Sequence, residues 1–328
     1  MSLIGRLLKA NPSAQVSDML TGYFVIPSAK GAFLDVVNTA LFAGGQLANT
    51  TQVTTMQKFI ISTLGNSTNF GNLSTSALPN QGVASTTRAV FQIGNVKNGM
   101  EYVTFASLGN STSFGVFPYT KTGSGAHNNS TRGIFMDGYD YGGASATTND
   151  IHYITIATTG NTTSFGDLTV NKYIGACVGS PTRAVHGGGS GHVSFSNVIE
   201  YVTIATTGNA TDFGDLTLGR YNPSGCGSST RGLYSGGHSG TNSNVIDYIT
   251  IASTGNATDF GDLLNGTEAT SGTSNSTRGV IMAGFTTVQH NVIQYVEIAT
   301  TGNSADFGDL TNSVSNGGAT SGGHGGLS

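Results

Sequence analysis

Five arginines recur at one point of a repeated pattern, and they are the most prominent candidates for binding chemistry. Each follows a threonine, between a segment of small residues and an apolar one, and they are Arg88, Arg132, Arg183, Arg231 and Arg278. A ring of guanidinium groups can bind a carboxylate, a phosphate or a neighbouring protein. The alternative is that each arginine bonds nearby carbonyl groups and stabilises its own turn. Recurrence in every complete repeat favours this alternative.

The remaining polar residues form no recognisable catalytic or metal-binding motif. Asp259-Phe260-Gly261 spells the metal-binding triplet of protein kinases, but it recurs through the repeats without the lysine strand or catalytic loop of a kinase. Acids three residues apart, such as Asp259 and Asp262, can bind calcium, although this spacing after a strand is more typical of turn capping. The seven histidines lack close ligand spacing. We therefore expect no enzymatic activity, no cofactor and no metal.

These residues belong to a unit that occurs six times. The copy at 244–263 predicts two β-strands joined at Thr254-Gly255-Asn256, where glycine and asparagine can adopt positive φ and close a hairpin. The hairpin glycines of the six copies are Gly65, Gly109, Gly160, Gly208, Gly255 and Gly302. Their spacings of 44, 51, 48, 47 and 47 residues predict a propeller or a similar array of small sheets.

A complete repeat predicts four strands. In the copy at 217–263 they are Arg220–Ser229, Arg231–Gly237, Asn244–Ala252 and Ala257–Leu263. The third strand places Ile249 and Ile251 on one side and Ile246 and Tyr248 on the other. Apolar residues on both sides predict a sheet that is covered on both faces, as a blade is by its neighbours.

The ends of the repeat region predict how the ring closes. Thr39–Gly45 has the pattern of a second strand with no first strand before it, and the tail at 316–326 has the pattern of a first strand with nothing after it. Pairing these segments completes a sixth blade and leaves no exposed sheet edge. The predicted fold is an all-β, six-bladed propeller over residues 39–328.

The repeat resembles the kelch repeat. An apolar strand ends in a glycine doublet at Gly44-Gly45, Gly188-Gly189 and Gly236-Gly237, and the next strand carries a tyrosine. Phenylalanine stands on the fourth strand where kelch repeats usually carry tryptophan. Repeats this rich in Thr, Ser, Gly and Asn, after a short leader, also resemble virion structural proteins of tailed bacteriophages, particularly those of marine hosts. This resemblance implies an appendage or decoration protein that is present in several copies on the particle.

Two regions are candidates for contacts with partners. Residues 1–38 lie outside the repeat, and we expect them to dock on other virion proteins through Ile4, Leu7, Leu8, Tyr23 and Phe24. We expect the propeller loops to present a second set of side chains to a partner protein or a host-surface glycan, by stacking and hydrogen bonding. That set is Tyr139, Tyr141, His192 and His238. Two alternatives stay open: a cellular or secreted kelch-like interaction module, and a carbohydrate-active enzyme.

The composition limits the remaining classes of partner. Only 9% of residues are charged and the net charge is −4, so we expect no nucleic-acid binding and no attraction to anionic lipid. No apolar run reaches the ~18 residues of a transmembrane helix, so we expect no membrane insertion. Cys177 and Cys226 fall at nearly matching points of successive repeats. Two buried thiols are favoured over a disulfide, and their pairing stays open.

Overall fold

The protein is a six-bladed β-propeller, as its repeats predict. The structure is a computed structural model that describes residues 35–79, 81–94, 97–142, 146–191 and 195–327. These residues form six antiparallel sheets, and the innermost strands of neighbouring sheets contact one another in a closed ring. The propeller lies within one compact unit, Asp35–Ser328. The predicted docking residues lie outside the described residues: Ile4, Leu7, Leu8, Tyr23 and Phe24.

The strands follow one another through the blades in chain order. Blades 1 and 2 contain β1 (Thr39–Ala43), β2 (Thr55–Ile60), β3 (Thr68–Asn72), β4 (Gly82–Ala84), β5 (Arg88–Gln92), β6 (Gly99–Thr104) and β7 (Thr112–Val116). Blade 3 contains β8 (Lys121–Thr122), β9 (Gly125–Asn128), β10 (Arg132–Met136), β11 (Gly138–Asp140), β12 (Ala146–Thr155) and β13 (Thr163–Lys172). Blade 4 contains β14 (Ala176–Gly179), β15 (Arg183–Gly187), β16 (Val198–Thr203) and β17 (Thr211–Asp215).

The last two blades repeat the four-stranded plan, and the final strand returns to blade 1. Blade 5 contains β18 (Ser224–Gly227), β19 (Arg231–Ser235), β20 (Val245–Thr250) and β21 (Thr258–Asp262). Blade 6 contains β22 (Ser271–Ser274), β23 (Arg278–Met282), β24 (His290–Glu297) and β25 (Ala305–Val314), and the last strand is β26 (Gly318–Ser321). A short 3-10 helix, Val36–Asn38, precedes β1.

The ring closes through its two ends, as predicted. Strand β26 pairs antiparallel with β1, with Leu41 opposite Thr320 and Ala43 opposite Gly318. The innermost strand of blade 1 therefore comes from the end of the chain, and the other three come from its beginning. This pairing leaves no open edge between the first and last repeats.

The core consists of six apolar clusters, one between each pair of neighbouring blades. On the third strand of blade 5, Ile249 and Ile251 pack against blade 4, while Ile246 and Tyr248 pack against blade 6. The prediction that both faces of a blade are covered is therefore confirmed. Each blade depends on both neighbours for burial, so the ring folds as a unit.

Each hairpin between third and fourth strands also holds the preceding blade. In blade 5, the Asn256 side chain accepts a 3.0 Å hydrogen bond from the Asp215 backbone N–H of blade 4. A Cβ atom on Gly214 would lie 2.5 Å from the Gly255 carbonyl oxygen, so this approach requires glycine. The asparagines that make this contact are Asn66, Asn110, Asn161, Asn209, Asn256 and Asn303. The repeated Gly-Asn therefore joins blades as well as closing a hairpin.

A polar side chain within the third strand makes a second contact between blades. In blade 4, Glu200 accepts a 2.6 Å hydrogen bond from the Thr169 backbone N–H at the end of blade 3. The same contact joins Gln57 with Thr311, Glu101 with Ser74, Asp247 with Thr217, and Gln294 with Leu264. Between blades 2 and 3 the matching positions hold His152 and Pro118. Proline has no N–H to donate, so this boundary lacks the bond.

The strand ends define two faces of the propeller. The hairpin face carries the turns between first and second strands and the hairpins between third and fourth strands, which in blade 5 are 228–230 and 254–256. The loop face carries the loops between second and third strands and the connections from one blade to the next. In blade 5 these are 236–244 and 216–223.

Candidate functional site

Blades 3, 4 and 5 share a feature at the loop face: a buried cation just before the first strand. Lys121, Lys172 and Arg220 are all 0% exposed. Each pairs with an acid on the third strand of the blade whose first strand it precedes. The pairs are Lys121–Asp150, Lys172–Glu200 and Arg220–Asp247, with N–O distances of 3.2, 2.6 and 2.7 Å. Because a buried charge needs its partner, these pairs fix the chain where it enters each blade.

The residue after two of these cations is a tyrosine that the pair holds at the loop face. Tyr173 follows Lys172 and pairs through its backbone with Ser190. Tyr221 follows Arg220 and pairs in the same way with His238. In both blades the partner lies directly after the glycine doublet that ends the second strand. In blades 4 and 5, the loop face therefore presents side chains from the segment that enters the blade and, beside them, from the loop between its second and third strands.

A first aromatic cluster lies over blades 3 and 4. The Tyr139 ring centroid is 4.7 Å from that of Tyr141 and 5.7 Å from that of Tyr173. Tyr141 is 47% exposed, so its ring is open to a ligand. Burial, followed by the nearby Tyr141 and Tyr139 hydroxyls, raises the pKa of Tyr173, which therefore stays a neutral hydrogen-bonding group.

A second aromatic cluster lies over blades 4 and 5. The Phe195 ring centroid is 5.2 Å from that of Tyr221 and 5.8 Å from that of His238, and the last two are 5.1 Å apart. Phe195 is 41% exposed. The three rings meet at tilted or edge-on angles, as aromatic side chains prefer.

The two clusters are neighbours on one surface. The backbone N–H of Asn222 donates a 2.7 Å hydrogen bond to the Ile174 carbonyl, which holds the segments after Tyr221 and Tyr173 together. Ser190 pairs with both Tyr173 and Phe195, so it connects the clusters. We call the combined surface the aromatic band, and its side chains are Tyr139, Tyr141, Tyr173, Phe195, Tyr221 and His238.

The aromatic band breaks the sixfold symmetry of the propeller. At the matching backbone pair, blade 6 has Glu268 and Phe285, and blade 1 has Ser315 and Gln46. Structural contacts in this protein repeat around the ring, whereas the band's mutually contacting aromatic rings lie on blades 3 to 5. Such a departure from the repeat is the signature expected of a site for one ligand.

The five predicted arginines lie on the opposite, hairpin face. Arg183 stacks over Tyr201 of its own blade at 4.5 Å and donates a 2.9 Å hydrogen bond to the Ile251 carbonyl of the next blade. The same two contacts occur at Arg88, Arg132, Arg231 and Arg278. Each guanidinium therefore bonds a carbonyl of the neighbouring blade, beyond its own turn. Anion binding by these groups stays a prediction.

Blade 1 shows that the arginine and the tyrosine belong together. The position of the arginine is Thr39, and that of the tyrosine is Lys58, next to Phe59. Both partners are missing from the same blade, so the arginine and the tyrosine occur only together, and the boundary between blades 1 and 2 has no stacked pair. The repeated tyrosine is therefore explained by its contact with arginine.

The most enzyme-like grouping of the described residues is buried between blades 3 and 4. The Asp137 carboxylate accepts hydrogen bonds from the backbone N–H groups of Gly125 and Gly175, and it lies 3.0 Å from Nε2 of His186. Burial raises the pKa of the Cys177 thiol well above its ordinary value, so the thiol stays protonated. Both cysteines are free, and Cys226 packs at a different blade boundary.

The end of the chain crosses the axis at the hairpin face. The His324 ring lies 5.6 Å from that of His127, and both line a cavity of about 40 Å³ between the innermost strands. Burial lowers the pKa of His127 to about 4 and, together with His127, that of His324 to about 3. This cavity is far smaller than the pockets of roughly 300 Å³ or more that hold small-molecule ligands.

The predicted binding residues therefore divide between two faces. Tyr139, Tyr141 and His238 join the aromatic band, while the arginines lie on the other side. His192 lies outside the described residues. Sequence reasoning missed Tyr173, Phe195 and Tyr221. The available signal was an aromatic residue directly after a lone cation in two successive repeats, Lys172-Tyr173 and Arg220-Tyr221.

Comparison with known proteins leaves the fold as the main guide to function. No protein-family model matches the chain. No curated protein matches its sequence either. The propeller fold suggests a protein-interaction module. Within the part of the chain that the structure describes, no helix is long and apolar enough to cross a membrane, and no three His, Cys, Asp or Glu side chains are placed to hold a metal ion.

Proposed function

We propose that this chain is a non-enzymatic binding protein of a phage particle, and that its propeller presents the aromatic band to a host-surface glycan. The observation that carries the proposal is the band itself, a set of partly exposed rings that contact one another on blades 3 to 5. Sugar rings stack their C–H faces on aromatic side chains and exchange hydrogen bonds with neighbouring polar groups.

The virion part of the proposal rests on the resemblance of the repeats to structural proteins of tailed bacteriophages. Residues 1–38 would dock the propeller on other virion proteins, as a tail or capsid appendage or a decoration. Several copies on one particle would convert weak binding of single sugars into strong attachment, because the linked sites bind together. The low charge of the chain favours recognition by stacking over recognition by a strong field.

Glycan binding is tested by screening the purified chain against immobilised neutral and acidic oligosaccharides. Binding is then measured by tyrosine fluorescence, since the chain has 12 tyrosines and no tryptophan. We expect Tyr141→Ala and Phe195→Ala to weaken binding. Leu108→Ala removes a side chain that is 63% exposed on the hairpin face, and it serves as the control. Absence of any oligosaccharide binding would contradict the proposal.

The virion role is tested separately by cryo-electron microscopy of particles from the native source. We expect ordered copies of the propeller, with residues 1–38 against a neighbouring protein. Free copies in solution, with none on particles, would contradict this part and favour a cellular or secreted kelch-like module.

A further inference from the structure

The second aromatic cluster adjoins a set of fixed polar groups, and together they form a defined pocket. Phe195 supplies an exposed ring, beside Tyr221 and His238. The Glu268 carboxylate reaches this cluster from the start of blade 6, with Oε1 3.8 Å from Nδ1 of His238. The side chains of His238 and Glu268 keep 25% and 15% of their surface exposed, so a ligand can reach both.

Neighbouring hydrogen bonds determine which ring nitrogen of His238 can accept a hydrogen bond. Asn242 donates through Nδ2 to the carbonyls of Phe285 and Thr286, at 3.0 and 3.3 Å, so its Oδ1 must be the atom directed at His238. That oxygen lies 3.0 Å from Nδ1 of His238 and can only accept. The neutral imidazole therefore carries its proton on Nδ1, and Nε2 is left as an acceptor.

The Glu268 carboxylate is the second acceptor of the pocket. The Tyr221 hydroxyl lies beside this carboxylate and interacts with it. Burial, followed by the charge of Glu268, raises the pKa of Tyr221, so the phenol keeps its proton. A carboxylate has about four acceptor sites, and one phenol leaves most of them for a ligand.

We propose that Phe195, Tyr221, His238 and Glu268 form a subsite for one neutral sugar unit. The sugar ring stacks on Phe195, one hydroxyl donates to Glu268, and another donates to Nε2 of His238. The unit is neutral because a uronic or sialic acid would bring its carboxylate beside Glu268, and like charges repel. The aromatic band, as far as the structure describes it, contains no Lys or Arg to offset that repulsion. The inference rests on the proposed glycan binding and specifies its ligand class and residues.

The test compares neutral oligosaccharides with uronic-acid oligosaccharides of the same length, by calorimetric titration of the full chain. We expect binding of the neutral series and little binding of the acidic one. Phe195→Ala should weaken binding by about tenfold or more, through loss of the stacking surface. Glu268→Gln and His238→Phe each remove one acceptor and should also weaken it. Val170→Ala is the control, since Val170 is exposed on an outer strand.

The outcomes separate this subsite from the wider proposal. Preference for the acidic series, or unchanged affinity in Phe195→Ala, would overturn the subsite while leaving glycan binding intact. No binding of either series would overturn both. Thermal unfolding of each variant distinguishes a lost contact from a lost fold, and Phe195 is exposed enough for its alanine variant to fold.

Discussion

His152 packs its ring edge-on against Phe117, with centroids 5.9 Å apart, at the boundary between blades 2 and 3. Elsewhere this third-strand position holds an acid or an amide that accepts a backbone N–H from the preceding blade, as Glu200 does from Thr169. Pro118 has removed that donor, and an aromatic contact replaces the hydrogen bond. At this one boundary, both the residue that donates the backbone N–H and the residue that accepts it are therefore replaced.

The pairing of His152 with Pro118 predicts a coupling between two substitutions. His152→Gln introduces the amide found at Gln57 and Gln294, but leaves its oxygen without a donor, at a cost of about 1–3 kcal/mol. Pro118→Thr restores the N–H, so the double variant should recover part of that loss. Urea unfolding of the single and double variants measures the coupling energy. Additive effects would show that the two positions are independent.

The buried ion pair at the start of blade 4 predicts the effect of removing either partner. Lys172→Met leaves the Glu200 carboxylate buried without its partner, and we expect a loss of about 3–5 kcal/mol. Burial opposes ionisation of Glu200, but the adjacent Lys172 ammonium lowers its pKa. Adding Glu200→Gln reproduces the pattern of blade 6, where uncharged Thr267 and Gln294 hold the matching positions and Gln294 still accepts the backbone N–H of Leu264. The double variant should therefore be more stable than Lys172→Met alone.

Unfolding experiments on the Lys172 series also test how the aromatic band is positioned. Because Tyr173 follows Lys172 directly, the single substitution should weaken any ligand bound to the band, and the double variant should bind more strongly. Equal stability of the single and double variants would contradict the role assigned to the ion pair.

The arginine on the hairpin face predicts a cost to ring stability. Arg183→Gln removes the hydrogen bond to the Ile251 carbonyl and the stack on Tyr201, and we expect a loss of about 1–3 kcal/mol. Arg183→Lys keeps the charge but not the fork geometry, so it should recover little. If the arginines instead act only as an anion site, Arg183→Gln will leave thermal stability unchanged and abolish phosphate binding.

Much of the fold could be predicted because its causes are local. The hairpin Gly255-Asn256 and the two-sided apolar pattern of Ile246 and Ile249 are visible within one repeat. The role of Arg183 could not be predicted, since its carbonyl partner lies 68 residues away. The aromatic band was also hidden, because Tyr139 meets Tyr173, and Phe195 meets Tyr221, only when consecutive blades are packed together. Contacts between blades depend on ring geometry, which a single repeat does not contain.

Three histidines packed between the blades and at the axis predict that stability falls in mild acid. Burial is the main cause that lowers the pKa of His127 and His152 to about 4, and of His324 to about 3. The unfolded chain binds these protons below its ordinary histidine pKa of about 6.5, whereas the folded chain does not. Unfolding therefore takes up protons between these values, and the free energy of unfolding decreases as the pH drops from 6.5 towards 4.

Urea unfolding between pH 7 and 5 measures this effect above the range in which unfolded carboxylates titrate. His324→Gln should flatten the pH dependence by about 1 kcal/mol per pH unit. His290→Gln is the matched control, because His290 lies at the loop face, away from the axis, and bonds the Thr286 hydroxyl there. An identical slope in both variants would contradict the assignment to the axial histidine.

Closure of the ring by β26 predicts that two truncations differ in effect. Removing residues 317–328 deletes the strand opposite Leu41 and exposes the edge of β1, and we expect a loss of about 3 kcal/mol or more. Removing only residues 322–328 keeps β26 but takes away His324 and the glycines that pack under Val36 and Val37. We expect a smaller loss, with a cooperative transition in urea.

Equal stability of the longer truncation and the intact chain would show that the ring holds without its closing strand. Since every core cluster lies between two blades, loss of that strand should instead lower the unfolding midpoint of the whole propeller in a single transition.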